Sequence, residues 1–437
     1  MPDHAISAHP AVQAQLDRLW ALSPGADVLG LERITKLLGR LGDPQHALPP
    51  VFHVAGTNGK GSTCAFLRAA LEAAGHAVHV YSSPHLVRFN ERIRIAGRLI
   101  EDEPLAALLG EVLDRADGIG ASFFEVTTAA AFLAFARTPA AATIVEVGLG
   151  GRLDATNVVT PAVTGIAALG MDHETFLGAT LTAIAREKAG IAKRGVPLVT
   201  MDYARPIRTA IAAVAESAGA PVHARGTAWT TEAARTTLCY ADRGFSVVTP
   251  RPRLVGAHQS RNLGLALAML RHQGAVSVPE AAMRAAADWA QWPARMQRLA
   301  SGPLVDRLPP GSTAWLDGAH NPSAAAPVAR TLRSVARGQP VALVIGMLAN
   351  KDASAVLRLL ASAASRVIAV PVPGHAHHAP ESLAALARSF GTDAATAPDT
   401  EGAMADIAKA AAPVTVLIAG SLYLAGVVLA ANDEPPA

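Results

Sequence analysis

Between residues 54 and 62 the chain reads Val54-Ala55-Gly56-Thr57-Asn58-Gly59-Lys60-Gly61-Ser62. Glycines in such a run let the backbone curl until several N–H groups face one anion, and a helix beginning there adds the positive end of its dipole. Lys60 supplies the point charge that β- and γ-phosphates attract. Thr57, Asn58, Gly59, Lys60, Gly61 and Ser62 are therefore candidate contacts to the phosphates of a nucleotide. Two features depart from the usual phosphate loop. Val54 stands where its first glycine belongs, and Gly61 stands where a Ser or Thr hydroxyl would hold magnesium. The metal ligands must then come from elsewhere. The competing reading of the same residues is a tight strand–helix turn with an exposed lysine.

Oxygen donors are available close by. Ser82-Ser83-Pro84-His85 follows a predicted strand over 76–81, and Glu146 sits near the end of another apolar run, just before Gly148-Leu149-Gly150-Gly151. Parallel sheets bind ligands at their carboxyl edge, and magnesium takes oxygen ligands, so Ser83 and Glu146 are candidate metal ligands. Otherwise they are a turn and a solvated carboxylate. His173 is an atypical magnesium ligand, and residue type alone favours a hydrogen-bonded core histidine. Lys188 lies between Glu187 and Ala189 in a helical stretch, where the default is an exposed lysine in an i,i+4 network. The histidines of Gly374-His375-Ala376-His377-His378 have no carboxylate or cysteine at ligand spacing and read as a flexible loop. Cys64, just past the phosphate loop, reads as a small packed side chain.

Positioning these groups requires a sheet. Short β-branched runs predict strands at 51–54, 76–81, 142–147, 162–167 and 196–200, with helices at 63–74 and 181–192. This alternation predicts an α/β domain of the P-loop type built on a mainly parallel sheet. The Thr- and Val-rich stretch 227–254 predicts a β excursion. From 314 the theme repeats, with strands at 314–316, 340–345, 365–370 and 415–418, so a smaller Rossmann-like α/β domain follows. Trp292-Pro293-Ala294-Arg295 breaks the preceding helical stretch, which gives domains 1–297 and 298–437. The apolar segment 414–431 is divided by Gly420, Ser421 and Gly426 into strand, turn and helix, and is too interrupted for a membrane span.

Composition bounds the class. A chain of 437 residues exceeds what one core usually supports, and 51% hydrophobic against 17% charged residues excludes a disordered chain. With 38 basic and 35 acidic residues the net charge is +3, and no basic run is present, so nucleic acid is not an expected partner. Two cysteines rule out a disulfide framework and fit a reducing compartment. The first 19 residues lack the charged head and apolar stretch of a secretion signal. A cytoplasmic monomer acting on small molecules is the expectation.

Taken together, the motifs resemble the dihydrofolate synthase/folylpolyglutamate synthase family, relatives of the Mur peptide ligases. The matching segments are 56–62, Ser82-Ser83-Pro84-His85-Leu86, Glu146 through Asn157, Asp172-His173, Arg186-Glu187-Lys188-Ala189-Gly190 and Asp317-Gly318-Ala319-His320-Asn321-Pro322. They occur in family order and span most of the chain. The resemblance implies that Thr57 to Ser62 cradle ATP, that Ser83 and Glu146 hold one magnesium and His173 a second, and that Lys188 is carbamylated. It further implies that Asn262, Arg295, Asp317 and His320 hold the nucleotide across a domain gap. Leu29, Gly30, Leu31 and Glu32, then Ser122, Phe123, Phe124 and Glu125, then Leu153, Asp154 and Ala155 resemble the segments that contact the pterin in bifunctional members. Ala294 and Met296 flank Arg295 where the family usually has Gly and Phe, a change expected to alter packing only. Asn350 replaces a common aspartate.

What the resemblance implies is ATP-dependent ligation of L-glutamate to dihydropteroate and then to tetrahydrofolate, through an acyl phosphate and with two magnesium ions. The site as read has Lys60, Arg295 and divalent ions but no evident nucleophile, which suits phosphoryl transfer by positioning and charge neutralisation. The rivals are a folylpolyglutamate synthase without the dihydropteroate step, a Mur-type ligase of cell-wall precursors, and a nucleotide-dependent switch or kinase. The last would turn over ATP indifferently to glutamate.

Overall fold

Residues 51–55 are wholly buried, as a run of β-branched and apolar side chains must be when both faces of a parallel sheet are covered. A computed structural model, describing residues 5–22 and 29–436, makes this run β1 (Val51–Ala55) of an eight-stranded sheet. Its partners are β2 (Val78–Tyr81), β3 (Ile93–Ile95), β4 (Arg98–Leu99), β5 (Ala142–Glu146), β6 (Val163–Ile166), β7 (Leu198–Thr200) and β8 (Val222–Ala224). Their order is β4-β3-β2-β5-β1-β6-β7-β8, and β3 alone runs against the rest, pairing antiparallel with β2 and β4. The chain leaves β1 toward β2 on one side and later toward β6 on the other. Strand order therefore switches beside β1, which opens a crevice at its carboxyl end. Residues 1–4, the start of the leading segment, lie outside the described residues; Pro10–Ala21 is a helix.

One face of this sheet carries the helices Pro10–Ala21, Glu32–Arg40, Asp102–Ala116 and Phe123–Arg137, whose Leu16, Leu37, Leu109 and Phe132 share one core with Tyr81 and Val145. The Phe123–Arg137 helix is buried almost all round, so its amphipathic signal is weak. The expected β excursion is a separate antiparallel sheet of β9 (Trp229–Ala233), β10 (Thr237–Asp242) and β11 (Phe245–Pro250).

The second sheet has six strands: β12 (Gln297–Arg298), β13 (Thr313–Leu316), β14 (Val341–Ile345), β15 (Arg366–Ala369), β16 (Asp393–Thr396) and β17 (Thr415–Ala419). Their order is β12-β13-β17-β14-β15-β16, with β12 alone antiparallel. Its core packs Val328, Leu332, Leu343, Leu357 and Leu417. The segment 414–431 divides into β17, a turn at Gly420 and the helix Leu422–Ala431, as its glycines foretell. Among the described residues no helix is long and apolar enough to cross a membrane.

The chain splits into two compact units, one running to Arg253 with Gln259–Gln291 added, the other Leu254–His258 with the remainder from Trp292. The division falls slightly before residue 297 because residues 294–298 bond to the second sheet. Gly318 N donates to Ala294 O, Met296 N to Asp317, and Gln297 pairs with Leu316.

Candidate active site

The phosphate loop leaves β1 and enters the helix Lys60–Ala73, so Lys60 is itself the first helical residue. Gly59 caps that helix with φ 84°, a left-handed conformation that glycine adopts without steric cost. A Cβ there would also lie 2.5 Å from Asn262 Oδ1, so the absent side chain admits Asn262 to the loop. Asn262 is buried and donates to Gln259 Oε1 at 2.9 Å. The N–H groups of Thr57 and Asn58 both donate to Ala168 O, at 2.8 and 3.1 Å. Thr57 Oγ1 donates to Gly170 O at 3.0 Å. Those two residues fasten the loop to the segment after β6. The helix has no side-chain cap, and the N–H groups from Gly59 to Ser62 are the ones at its dipole end.

The oxygen donors stand beside it. β5 lies between β1 and β2 in parallel register, with Val54 opposite Glu146 and Tyr81 opposite Val145. Glu146 at the end of β5 and Ser83 just past β2 thus occupy neighbouring strand ends. Glu146 is 5% exposed, so it is not a solvated carboxylate, and its Oε1 lies 4.0 Å from Lys60 Nζ. His173 has φ 53° and starts the short helix Glu174–Leu177, with its Nε2 3.9 Å from Asp172 Oδ1. Among the described residues no three His, Cys, Asp or Glu side chains gather into a metal cluster. Ser83 and Glu146 are oxygen donors of the kind magnesium takes, one or two from the protein completed by phosphates and water.

Lys188 is the residue the default reading misplaces. It is 5% exposed, and burial, with the Lys60 charge beside it, pushes its ammonium down to about 7 against the pull of Asp154 and Asp172. The cause is the Gly-rich loop after β5. Gly151 lies flat on the Leu181–Ala189 helix, where a Cβ would come 2.8 Å from Glu187 O and 2.9 Å from Lys188 O. Arg152 N donates to Glu187 O at 2.8 Å, and Asn157 Nδ2 donates to Arg152 O and Gly190 O at 3.0 Å each.

In the second unit Arg295 lies between Ala294 and Met296, both buried and both left-handed, with φ 53° and 46°. The substitutions at these positions therefore reach the backbone as well as the packing. Asp317, at the end of β13, accepts from Met296 N and Ala319 N, each at 2.8 Å. Burial pushes its carboxyl up, while Arg295 pulls the other way. His320 Nδ1 lies 2.8 Å from Gly318 O.

Known proteins match this architecture along its whole length. Dihydrofolate synthase/folylpolyglutamate synthase of Escherichia coli (strain K12) is 35% identical over 406 residues, which cover 93% of this chain and 92% of that protein. The chain belongs to the dihydrofolate synthase/folylpolyglutamate synthase family. A family model for the Mur ligase glutamate ligase domain matches residues 295–422. The structure of E. coli FolC in complex with DHPP and ADP superposes with a TM-score of 0.87 at 34% identity, covering 97% of each chain. A bifunctional folylpolyglutamate synthase/dihydrofolate synthase with Mn, AMPPNP and L-glutamate bound gives 0.86 at 32% identity, covering 98% of this chain and 99% of that one.

Within this family member the three segments expected at the pterin divide into accessible and supporting residues. Leu29, Gly30, Leu31, Glu32, Ser122, Phe124 and Leu153 keep accessible surface, whereas Phe123, Glu125, Asp154 and Ala155 are buried. Ser122 and Glu125 form a reciprocal capping box at the start of the Phe123–Arg137 helix. Asp154 accepts from Leu149 N at 2.8 Å and from Thr156 N at 3.0 Å, and so ties the Gly-rich loop to itself. Phe124 covers Gly148, where no Cβ could fit. Sequence reasoning passed over Arg33, whose Nε donates to Glu125 Oε2 at 3.0 Å and joins the first segment to the second. Its signal was its place directly after Glu32.

The three histidines of the 374–378 run have local partners. His375 stacks on Tyr423 at 3.9 Å, His377 Nδ1 lies 2.7 Å from His375 O, and His378 Nε2 lies 2.9 Å from Lys351 O. Asp352 caps the helix Ala353–Ala361, which gives the Asn350 loop a structural role. Burial pushes the Cys64 thiol well up, consistent with packing alone.

Proposed function

We propose that the chain is an ATP-dependent ligase that joins L-glutamate to dihydropteroate and adds further glutamates to tetrahydrofolate through an acyl phosphate. The observation that carries this reading is the convergence of Lys60, Glu146 and buried Lys188 on one phosphate-binding sheet edge. Relatives solved with ADP, or with Mn, AMPPNP and L-glutamate, support nucleotide, divalent metal and amino acid as ligands.

A carboxylate has no good leaving group. Transfer of the γ-phosphoryl of ATP to one of its oxygens releases ADP and forms the mixed anhydride. The free amine of glutamate then attacks the carbonyl carbon, inorganic phosphate departs with the broken C–O bond, and the amine gives up a proton. The N–H groups from Gly59 to Ser62 hold the phosphates, and Lys60 neutralises their charge. Ser83 and Glu146 fit a magnesium ion, with His173 assigned to a second. Bound there, magnesium neutralises charge on the transferring phosphoryl group.

Lys188 fits carbamylation by carbon dioxide, which needs the neutral amine that burial favours. The product is an anion beside Lys60. The family resemblance assigns Asn262, Arg295, Asp317 and His320 to the nucleotide. The Arg33–Glu125 pair supports a pterin site in which Leu29–Glu32 and Ser122–Glu125 act together, and so favours the bifunctional enzyme over folylpolyglutamate synthesis alone. The same reading puts the reaction in the cytoplasm, carried out by a single chain without nucleic acid or membrane.

The test is phosphate release from ATP and magnesium with L-glutamate and either acceptor. Glutamate-dependent turnover with both acceptors is expected. Turnover with tetrahydrofolate alone selects the narrower synthase, and release indifferent to glutamate removes the ligase reading.

A further inference from the structure

His53 lies in the middle of β1, wholly buried, where a strand covered on both faces ordinarily carries an apolar side chain. Burial, with the Lys193 charge adding to it, pushes the imidazole down to about 3, so the ring is neutral. Among the described residues its Nδ1 has no hydrogen-bond partner, a cost that the bond at Nε2 must offset. That bond joins Nε2 to Thr156 Oγ1 at 2.9 Å. The Thr156 hydroxyl has one proton, which it donates to Asp154 Oδ1. It therefore accepts from His53, and Nε2–H is the tautomer this requires.

The chain of bonds ends on a carboxylate with one acceptor position to spare. Asp154 Oδ1 accepts from Thr156 N at 3.0 Å as well as from the hydroxyl. Among the described residues Oδ2 accepts from Leu149 N alone, at 2.8 Å, although a carboxylate oxygen takes two donors. Burial pushes the Asp154 carboxyl up, while these donors and the Lys188 charge pull it back toward the ionised form. The loop that Asp154 holds also seats Gly148 beneath Phe124, a residue of the acceptor segments.

Resting on the ligase reading above and deepening its acceptor site, we propose that His53 and Thr156 are positioning residues for dihydropteroate, holding Asp154 so that Oδ2 accepts from N–H groups of the pterin ring. Both act through Asp154 and touch no substrate themselves.

The experiment measures KM for dihydropteroate, ATP and L-glutamate in the full-length chain, with thermal unfolding as the folding control. Thr156→Val keeps the side-chain volume and removes a charge-assisted bond, so KM for dihydropteroate should rise roughly tenfold or more. His53→Leu should raise it about threefold or more, the scale of one neutral hydrogen bond. In both variants KM for ATP and for glutamate should stay within about twofold of wild type. His53→Gln offers an amide N–H in place of Nε2, and Thr156→Ser keeps the hydroxyl. Each should return KM for dihydropteroate to within about twofold of wild type. The double variant His53→Leu/Thr156→Val should be no worse than Thr156→Val alone, to within the same factor.

An unchanged KM for dihydropteroate in either removal variant overturns the proposal, as do equal rises for all three substrates. So do losses that multiply in the double variant, or a His53→Gln no better than His53→Leu. Should His53→Leu fail to fold, His53→Val, whose branched side chain suits a central strand, takes its place. Phe124→Ala separates this proposal from the reading beneath it. A raised KM for dihydropteroate there, with none in His53→Leu, leaves the acceptor site standing and removes the positioning role. A wild-type chain without glutamate-dependent turnover of dihydropteroate removes both.

Discussion

Each unit brings a cation to the carboxyl end of a mainly parallel sheet, and the two do so by opposite means. Lys60 follows a glycine whose left-handed φ of 84° carries no strain and whose missing side chain admits Asn262. Arg295 is flanked by Ala294 and Met296 in the same region of backbone space, held there by hydrogen bonds from another segment. The first turn is set by its own composition. The second is set by a remote carboxylate, so its geometry can fail while its own residues remain intact.

The sharpest way to break this comparison is to remove the cation itself. Lys60→Ala should lower kcat by roughly 10²- to 10³-fold, the scale for losing one preorganised charge-stabilising donor. Near-normal turnover would end its assignment to the phosphates. Lys188→Ala should be nearly as severe, with partial recovery when short carboxylic acids are added; inactivity without any recovery would argue against a carbamate.

Lys188 also makes a pH prediction. Its folded pKa of about 7 lies below the 10.5 of the free side chain, so the unfolded chain binds the extra proton between those values. Burial of Lys188 therefore weakens the fold most below about pH 7, and the weakening fades as pH rises toward 10.5. In buffer depleted of carbon dioxide, Lys188→Met should melt above wild type at mildly acid pH, and the gap should close in alkali. A pH-independent gap would mean that the lysine is not buried as described.

The two turns can then be exchanged in kind. Gly59→Ala meets both the left-handed penalty of ~1–2 kcal/mol and Asn262, and should weaken ATP binding as well as thermal stability. Ala294→Gly relieves the same penalty but gives up one buried methyl, worth ~0.8 kcal/mol, so denaturant unfolding should show neutrality or a gain of up to about 1 kcal/mol. Equal losses from both changes would erase the distinction between the turns. Outside the comparison, Phe124→Ala should raise KM for dihydropteroate more than KM for ATP; parallel increases would indicate general loosening around Gly148.

The strands were legible because β1, β5 and β17 are continuous buried runs, and the phosphate loop because its glycines carry their own signal. Short edge strands such as β4 and β12, two residues each, carry no periodicity to read. Lys188 looked exposed because its burial is imposed by Gly151, which is distant in sequence. Arg33 escaped notice because its partner Glu125 lies 92 positions away. Ala294 and Met296 signal nothing by type, although their departure from the family's Gly and Phe marked the place where the backbone is strained.

The flat seating of Gly151 on the Leu181–Ala189 helix sets a boundary for anyone who would redesign this ligase. Loop and helix share main-chain bonds with no room for a methyl group, so the stretch from Glu146 to Asn157 has a fixed length. An inserted residue there would unseat Lys188 and the strand end carrying Glu146 together. Under the proposed pterin assignment, acceptor range is better widened at the Arg33–Glu125 clasp, an ion pair between side chains that shares none of the main-chain contacts holding the lysine.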